Sequence, residues 1–298
     1  MVKTSNKFIS FINRYFGRTW QDRTFHIVNY ALFTIFAFVM FYPFLYVVLT
    51  SLKQNHIVNG IAVQEWGISA YASVMSNKKL WIAFGTTLWT DILGTLVAVL
   101  FTFVTAYPLS RSHFRGKNAI TFYFFFTTLF SGGLIPFYLL IRDLGLRDSY
   151  FVYLIPGLIG GYNIILMKNF LQSLPRELEE SAKIDGANNL TIMFIIYFPL
   201  SGPILATIAL WTAVGRWNNY MTGLLYIEDT SKLLIQNVLR SMIVTATNTG
   251  AGIDPDVMNM AESVKMASVV IGTLPIIIVY PFVAKHFTKG VLTGSIKG

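Results

Sequence analysis

The chain has 298 residues, 54% of them hydrophobic and 12% charged, with a net charge of +9 and a mean hydropathy of +0.56. A soluble domain carries about twice that share of charge, and a nucleic-acid-binding protein does not interleave its basic stripe with apolar runs of spanning length, so the composition points to lipid as the main solvent. The absence of cysteine excludes a disulfide scaffold, a thiolate metal site and a cysteine nucleophile.

A spanning helix needs about 20 apolar residues, because the hydrocarbon core is about 30 Å thick and each helical residue rises about 1.5 Å. Six segments qualify: 27–52, 81–110, 119–141, 150–171, 190–215 and 264–284. The first is too long for a signal peptide and lacks a small-residue cleavage pattern, so it is expected to be retained. The fold class is therefore expected to be all-α and membrane-embedded. An N-terminal segment 1–26 precedes a six-span domain 27–284, and a tail 285–298 follows it.

With the N-terminus in the cytoplasm, the cytoplasmic pieces together with Lys168 hold 14 of the 23 Lys and Arg but 5 of the 14 Asp and Glu. That is the positive-inside asymmetry, and it places both termini in the cytoplasm. The stretch 217–263 is then the long outer excursion. Within it, 232–243 reads as an amphipathic helix and 245–252 (TATNTGAG) as a flexible loop.

Eight of the ten prolines fall inside the proposed spans, joined by Gly132-Gly133 and Gly160-Gly161. Broken helices are expected there, with freed backbone groups satisfied by neighbouring helices or a wet cavity. The same enrichment is also general to spanning helices.

The cytoplasmic stretch 173–199 (SLPRELEESAKIDGANNLTIMFIIYFP) reads as helix, turn, helix. Pro175 suits a first helical turn, and Glu177, Glu179 and Glu180 sit near the positive end of the helix dipole. Leu174, Leu178 and Ala182 recur at i, i+4, i+8 as a short apolar ridge. Gly186 supplies the left-handed stop, and Asn188 or Asn189 caps the next helix.

Glu180-Ser181-Ala182, then three residues, Gly186, nine residues, Ile196, one residue and Phe198-Pro199 resembles the EAA loop of ABC-importer permeases. Ser181 replaces an alanine and Phe198 a leucine, while every spacing agrees. The string LPRELEESAKIDGA resembles the carbohydrate-uptake branch, the relatives of the maltose permease subunits. Arg216 to Leu225 (RWNNYMTGLL) and the terminal GVLTGSIKG are similar to stretches of the same branch.

The resemblance implies a type I importer permease of a bacterial cytoplasmic membrane, forming half of a channel for a sugar or oligosaccharide. The implied partners are an ATP-binding-cassette ATPase dimer, a second homologous permease, an extracytoplasmic solute-binding protein and membrane lipid, with no nucleic acid. It implies that the loop 173–189 docks on the ATPase through Glu179, Glu180, Ser181, Ala182, Asp185 and Gly186, with Pro199 closing the motif. ATP and Mg would then belong to the ATPase, and this chain would bind no cofactor and carry no catalytic residue or metal.

The residues themselves agree that hydrolysis lies elsewhere, since no G-x-x-x-x-G-K-[ST] cradle, H-E-x-x-H pair or G-x-S-x-G elbow occurs. A rival class is an ion-coupled secondary transporter, for which Asp91 is the one carboxylate inside a proposed span. Pathway candidates are Tyr162 and Asn163 beside Gly160-Gly161, with Trp211, Trp217 and Asn218 near the fifth span. Aromatic faces and amides suit sugars, and the same residues equally suit the lipid interface or helix–helix contacts.

Overall fold

A computed structural model describes residues 19–58, 61–250 and 255–294. The first 18 residues of the N-terminal segment, residues 251–252 of the loop expected at 245–252, and the last four residues of the tail lie outside the described residues.

The first helix of the described residues is α1, Trp20–Ser51, whose start is fixed by a capping box. The Asp22 amide donates to Thr19 Oγ1 and the Thr19 amide to the Asp22 carboxylate, both at 3.2 Å. Pro43 lies inside α1 without interrupting it. An antiparallel hairpin follows, β1 Lys53–Val58 and β2 Ile61–Trp66, in register from Lys53↔Trp66 to Val58↔Ile61. The sequence reading contained no strand, and this hairpin is a local exception in an otherwise helical fold.

After α2, Ser69–Met75, comes α3, Lys78–Ser110, with Asn77 accepting from the Lys79 amide at 2.9 Å. Its inner face is a run of small residues, among them Thr87, Thr90, Gly94, Ala98, Thr102 and Ala106, which lets other helices approach closely. Thr87 and Thr102 donate to carbonyls one turn back, Ala83 at 2.8 Å and Ala98 at 2.7 Å, so their hydroxyls are satisfied where water is absent.

Glycine and proline break the next elements. α4, Lys117–Leu129, and α5, Leu134–Asp143, meet at 115° across Gly132-Gly133, where Gly133 has φ +87. α6, Phe151–Leu154, ends before Pro156 and Gly157 (φ +76), and α7, Gly161–Ser173, begins anew. The expected fourth span is therefore not one continuous helix.

The helix of the 173–189 loop is α8, Glu177–Ile184. Beyond it α9, Asn189–Leu200, contains a π-helical stretch at Ile192–Tyr197 and meets α10, Gly202–Trp217, at 76°. Then follow α11, Met221–Tyr226, a 3₁₀ turn at Thr230–Lys232, α12, Ile235–Gly250, and α13, Pro255–Gly294. α12 confirms the amphipathic helix but continues over residues 245–250, which composition alone marks as loop.

Among the described residues three single helices, Trp20–Ser51, Lys78–Ser110 and Ala261–Pro281, are long and apolar enough to cross a membrane, and the two bent pairs raise this to five. Two buried clusters lie toward opposite ends of α3. One gathers Phe103, Leu109, Met167, Ala182, Tyr197 and Ile208; the other gathers Leu80, Ala83, Trp217, Ile235, Leu239 and Ala267. With 33 residues, α3 holds these ends about 50 Å apart.

Candidate functional site

The site begins with the stop signal of α8. Gly186 has φ +82, its amide donates to the Lys183 carbonyl at 3.1 Å, and the Ala187 amide donates to the Ala182 carbonyl at 2.9 Å. That is a Schellman closure, with Ala182 and Ala187 both packed on the cluster below. Asn188 then caps α9 by accepting from the Thr191 amide at 2.8 Å. The helix, turn and helix are thus fixed by three short-range contacts that the sequence spacing already demanded. Pro175 stands just ahead of the N-cap Arg176 rather than inside the first turn.

The helix presents two faces of different kind. Ala182 and Glu179 are buried, and Leu174 is packed against the same cluster, so two members of the apolar ridge seat α8 on its own chain. The face left outward holds Glu180, Ser181, Asp185, Gly186 and Ile184, the last 86% exposed. Among the expected docking residues, Glu179 and Ala182 are therefore turned away from any partner. Their inward position follows from the 3.6-residue period, which puts them on the side opposite Ser181 and Ile184. Pro199 is not brought to α8 either; it lies near the far end of α9, where its missing N–H suits the corner with α10.

What holds the inner face is a buried ionic latch. Arg111, at the C-cap of α3, donates to the Glu179 carboxylate at 2.6 Å, to Ser110 Oγ at 3.0 Å and to the Leu171 carbonyl at 3.3 Å. Its guanidinium lies 4.9 Å from the Tyr107 ring centroid and 4.3 Å from that of Tyr197. Lys183, one turn along α8, donates to the other Glu179 oxygen at 2.6 Å. Burial by itself would raise the Glu179 carboxyl, but the hydrogen bonds from Lys183 and Arg111 outweigh it and hold the group below the ordinary carboxylate range. Three elements, α3, α7 and α8, are tied by this one arginine. The sequence reading used Arg111 only as a topological charge, because nothing local relates residue 111 to residue 179.

The pathway candidates separate. Tyr162 and Trp211 come together, ring centroids 6.1 Å apart and both exposed, while the Asn163 amide folds back over Gly160. Gly161 lies so close to the Phe124 carbonyl and Thr127 that a Cβ there would collide, which fixes α7 against α4. Trp217 is instead a core residue. It is 5% exposed, donates to the Gly272 carbonyl at 2.9 Å and packs edge-on to Phe84. Its aromatic–amide neighbourhood in the sequence is real, but its ring faces inward. Asn218 is exposed and well separated from Tyr162, lining a different groove beside α12 and α13.

Asp91 is not an isolated ion ligand. It accepts from Thr95 Oγ1 at 3.2 Å and lies within the field of Arg216. Arg216 crosses α3 at Gly94, where a Cβ would strike its guanidinium, and donates to the Tyr153 carbonyl at 2.7 Å and the Leu154 carbonyl at 3.4 Å. These carbonyls end the short helix α6, so Arg216 satisfies backbone that the broken fourth segment leaves open.

The description "Binding-protein-dependent transport system inner membrane component" belongs to the family model that matches residues 93–293. Protein LplC of Bacillus subtilis is 40% identical over 94% of this chain and 97% of its own length. The polygalacturonan/rhamnogalacturonan transport system permease protein YtcP of the same organism is 37% identical over 93% of this chain and all of its own. Among solved structures, a chain of a bacterial ABC transporter involved in the import of the acidic polysaccharide alginate superposes with a TM-score of 0.80, at 34% identity, over 91% of this chain and 99% of that one. The chain belongs to the family of binding-protein-dependent transport system inner membrane components: it is a multi-pass permease subunit of an ABC importer and not itself an ATPase.

Proposed function

We propose that this permease moves an acidic oligosaccharide inward by alternating access, with α8 receiving the stroke of an ATPase dimer on the cytoplasmic side. The observation that carries the coupling role is the pairing of a rigidly held inner face with an open outer one. Arg111 and Lys183 fix Glu179, and Glu180, Ser181, Ile184 and Asp185 are left free to enter a partner's cleft. An apolar side chain as exposed as Ile184 on a short amphipathic helix is the ordinary signature of helix-in-groove recognition.

The charge asymmetry supports an inward-facing α8 and both termini in the cytoplasm. In this reading 27–284 is the permease domain, 173–189 its coupling loop and 217–263 the outer region that meets a solute-binding protein. A second, non-identical permease completes the channel, lipid surrounds the exposed apolar faces, and ATP with Mg stays on the ATPase. The acidic polysaccharides handled by YtcP and by the alginate importer support the substrate class. The Tyr162–Trp211 pair is a stacking surface of the kind a sugar ring uses, and it is our candidate for the pathway wall.

The test is purification of the tagged chain from native membranes in mild detergent, followed by reconstitution into liposomes. Recovery with an ATPase and a second permease, together with saccharide uptake that needs ATP inside and binding protein outside, is the expected result. Uptake by the chain alone, driven by a proton or sodium gradient and lost in Asp91→Asn, would overturn the reading.

A further inference from the structure

A groove of about 230 Å³ lies where the end of α10 meets α12 and α13, at the end of α3 opposite the coupling helix. Its polar lining is Asn218, Tyr220, Gln236, Arg240, Ser268 and Thr273. This is below the ~300 Å³ at which pockets for drug-sized ligands begin, and it suits one sugar unit of a longer chain.

Arg240 gives the groove its chemistry. Its guanidinium lies 4.3 Å from the Tyr220 ring centroid, and it makes no ion pair with a carboxylate among the described residues. The other arginines toward this end are engaged: Arg142 with Asp143, Arg147 with Glu228, and Arg216 with two backbone carbonyls. The wall under Arg240 is firm. Asn237 donates to the Tyr220 carbonyl at 2.7 Å, and Leu239 sits so near Gly272 that a Cβ there would come within 2.8 Å. The Thr273 hydroxyl, exposed on the groove wall, donates to its own helix and keeps its oxygen as an acceptor.

A stacked guanidinium keeps its planar fork of donors oriented for a bidentate carboxylate, and the amides of Asn218 and Gln236 pair naturally with sugar hydroxyls. We propose that this groove holds one uronate residue of the transported chain, with Arg240 on its carboxylate. The proposal rests on the importer reading above and places the recognition of acidity on the permease as well as on any binding protein.

The chain has no cysteine, so a single introduced thiol is the one labelled position in this subunit, and its labelling is read on this subunit after separation from its partners. Thr273, exposed on the groove wall, is replaced by cysteine in the reconstituted complex, and its maleimide labelling is followed with trigalacturonate or with its methyl ester. Trigalacturonate is expected to slow labelling at least fivefold and the uncharged ester less than twofold. Arg240→Gln should abolish the protection and Arg240→Lys should retain part of it.

Equal protection by acid and ester, no protection by either, or protection that survives Arg240→Gln each overturns the proposal. Uptake is measured on the same complex, with Arg240→Gln expected to lower trigalacturonate uptake at least tenfold and Arg240→Lys to retain part of it. ATP-dependent uptake of neutral saccharides with none of trigalacturonate refutes the uronate groove and the acidic substrate class, and leaves ATP-driven saccharide import standing. Absence of ATP-dependent saccharide uptake altogether refutes that reading itself.

Discussion

Removing either partner of the Arg111–Glu179 pair should not cost the same, and the inequality tests whether the latch is buried as described. In Glu179→Ala the arginine cannot shed its charge. It is left with Ser110 Oγ, the Leu171 carbonyl and two ring faces, none of them anionic. Stranding a buried charge costs about 3–5 kcal/mol, and the two aromatic contacts, present before and after the change, do not alter that difference.

In Arg111→Met the carboxylate keeps Lys183 at 2.6 Å and the methionine still fills the space between Tyr107 and Tyr197. A smaller loss, about 1.5–3 kcal/mol, is expected, because the charge-assisted hydrogen bond goes with the weaker contacts to Ser110 and Leu171 but no charge is left unpaired. Thermal unfolding of the detergent-solubilised protein ranks the two variants, and proteoliposome uptake beside ATPase rate shows the consequence. Glu179→Ala should lose more than tenfold in uptake while ATP hydrolysis persists, because α8 still offers its outer face but no longer pulls on α3. Equal midpoints for the two variants, or parallel loss of uptake and ATPase, would refute the reasoning.

Four further outcomes follow from the same geometry. Ile184→Asp, on an 86% exposed position of α8, should leave stability within about 0.5 kcal/mol yet reduce uptake and ATPase co-purification at least tenfold, which separates docking from folding. Gly186→Ala has open space for its Cβ and is penalised by φ +82 alone, about 1–2 kcal/mol; Gly186→Pro also removes the amide bond to Lys183 and should abolish coupling, both read by uptake. Tyr197→Ala should cost about 3–5 kcal/mol of thermal stability, since the ring is fully buried beneath the Arg111 guanidinium. Because Glu179 is held below the ordinary carboxylate range, its contribution is complete above about pH 5 and is lost as the pH falls through the lowered value; wild type should therefore lose melting temperature on acidification more steeply than Arg111→Met/Glu179→Leu.

The parts of this molecule that were legible in the sequence are those set by short-range rules. Gly186 and Asn188 announce the end of one helix and the start of the next through φ and capping, and both do in the structure what their positions require. Composition over a window also finds α1, α3 and the apolar part of α13. It fails at 150–171, where hydropathy sees an apolar run and the backbone sees Pro156 and Gly157. It fails again at 245–250, because packing of the preceding amphipathic turns carries α12 past residues that favour a loop on their own.

Which way a side chain faces was the other blind point. Trp217 and Tyr162 are alike as residues near a span end, yet one donates to Gly272 inside a core and the other lies open beside Trp211. Ala182 and Ile184 are two residues apart on α8 and point to opposite clients. A helical wheel assigns them to different faces but cannot say which face the chain keeps for itself; only the position of Arg111, 68 residues before Glu179, decides that.

The placement of α3 explains why that decision matters for transport. At its C-terminal end Arg111 grips α8, and near its other end Thr87 Oγ1 accepts from the Ile235 amide at 2.8 Å, securing the first turn of α12. Between them Gly94 admits Arg216, which holds the ends of α6 and α10 together. In the proposed coupling a displacement of α8 acts on a stiff rod whose far end carries the helix that bears Arg240. An uninterrupted helix suits this role better than the broken segments around it, which bend at Gly133, Gly157 and Ser201. On that proposal α3 carries the push, and the glycine and proline corners yield to it.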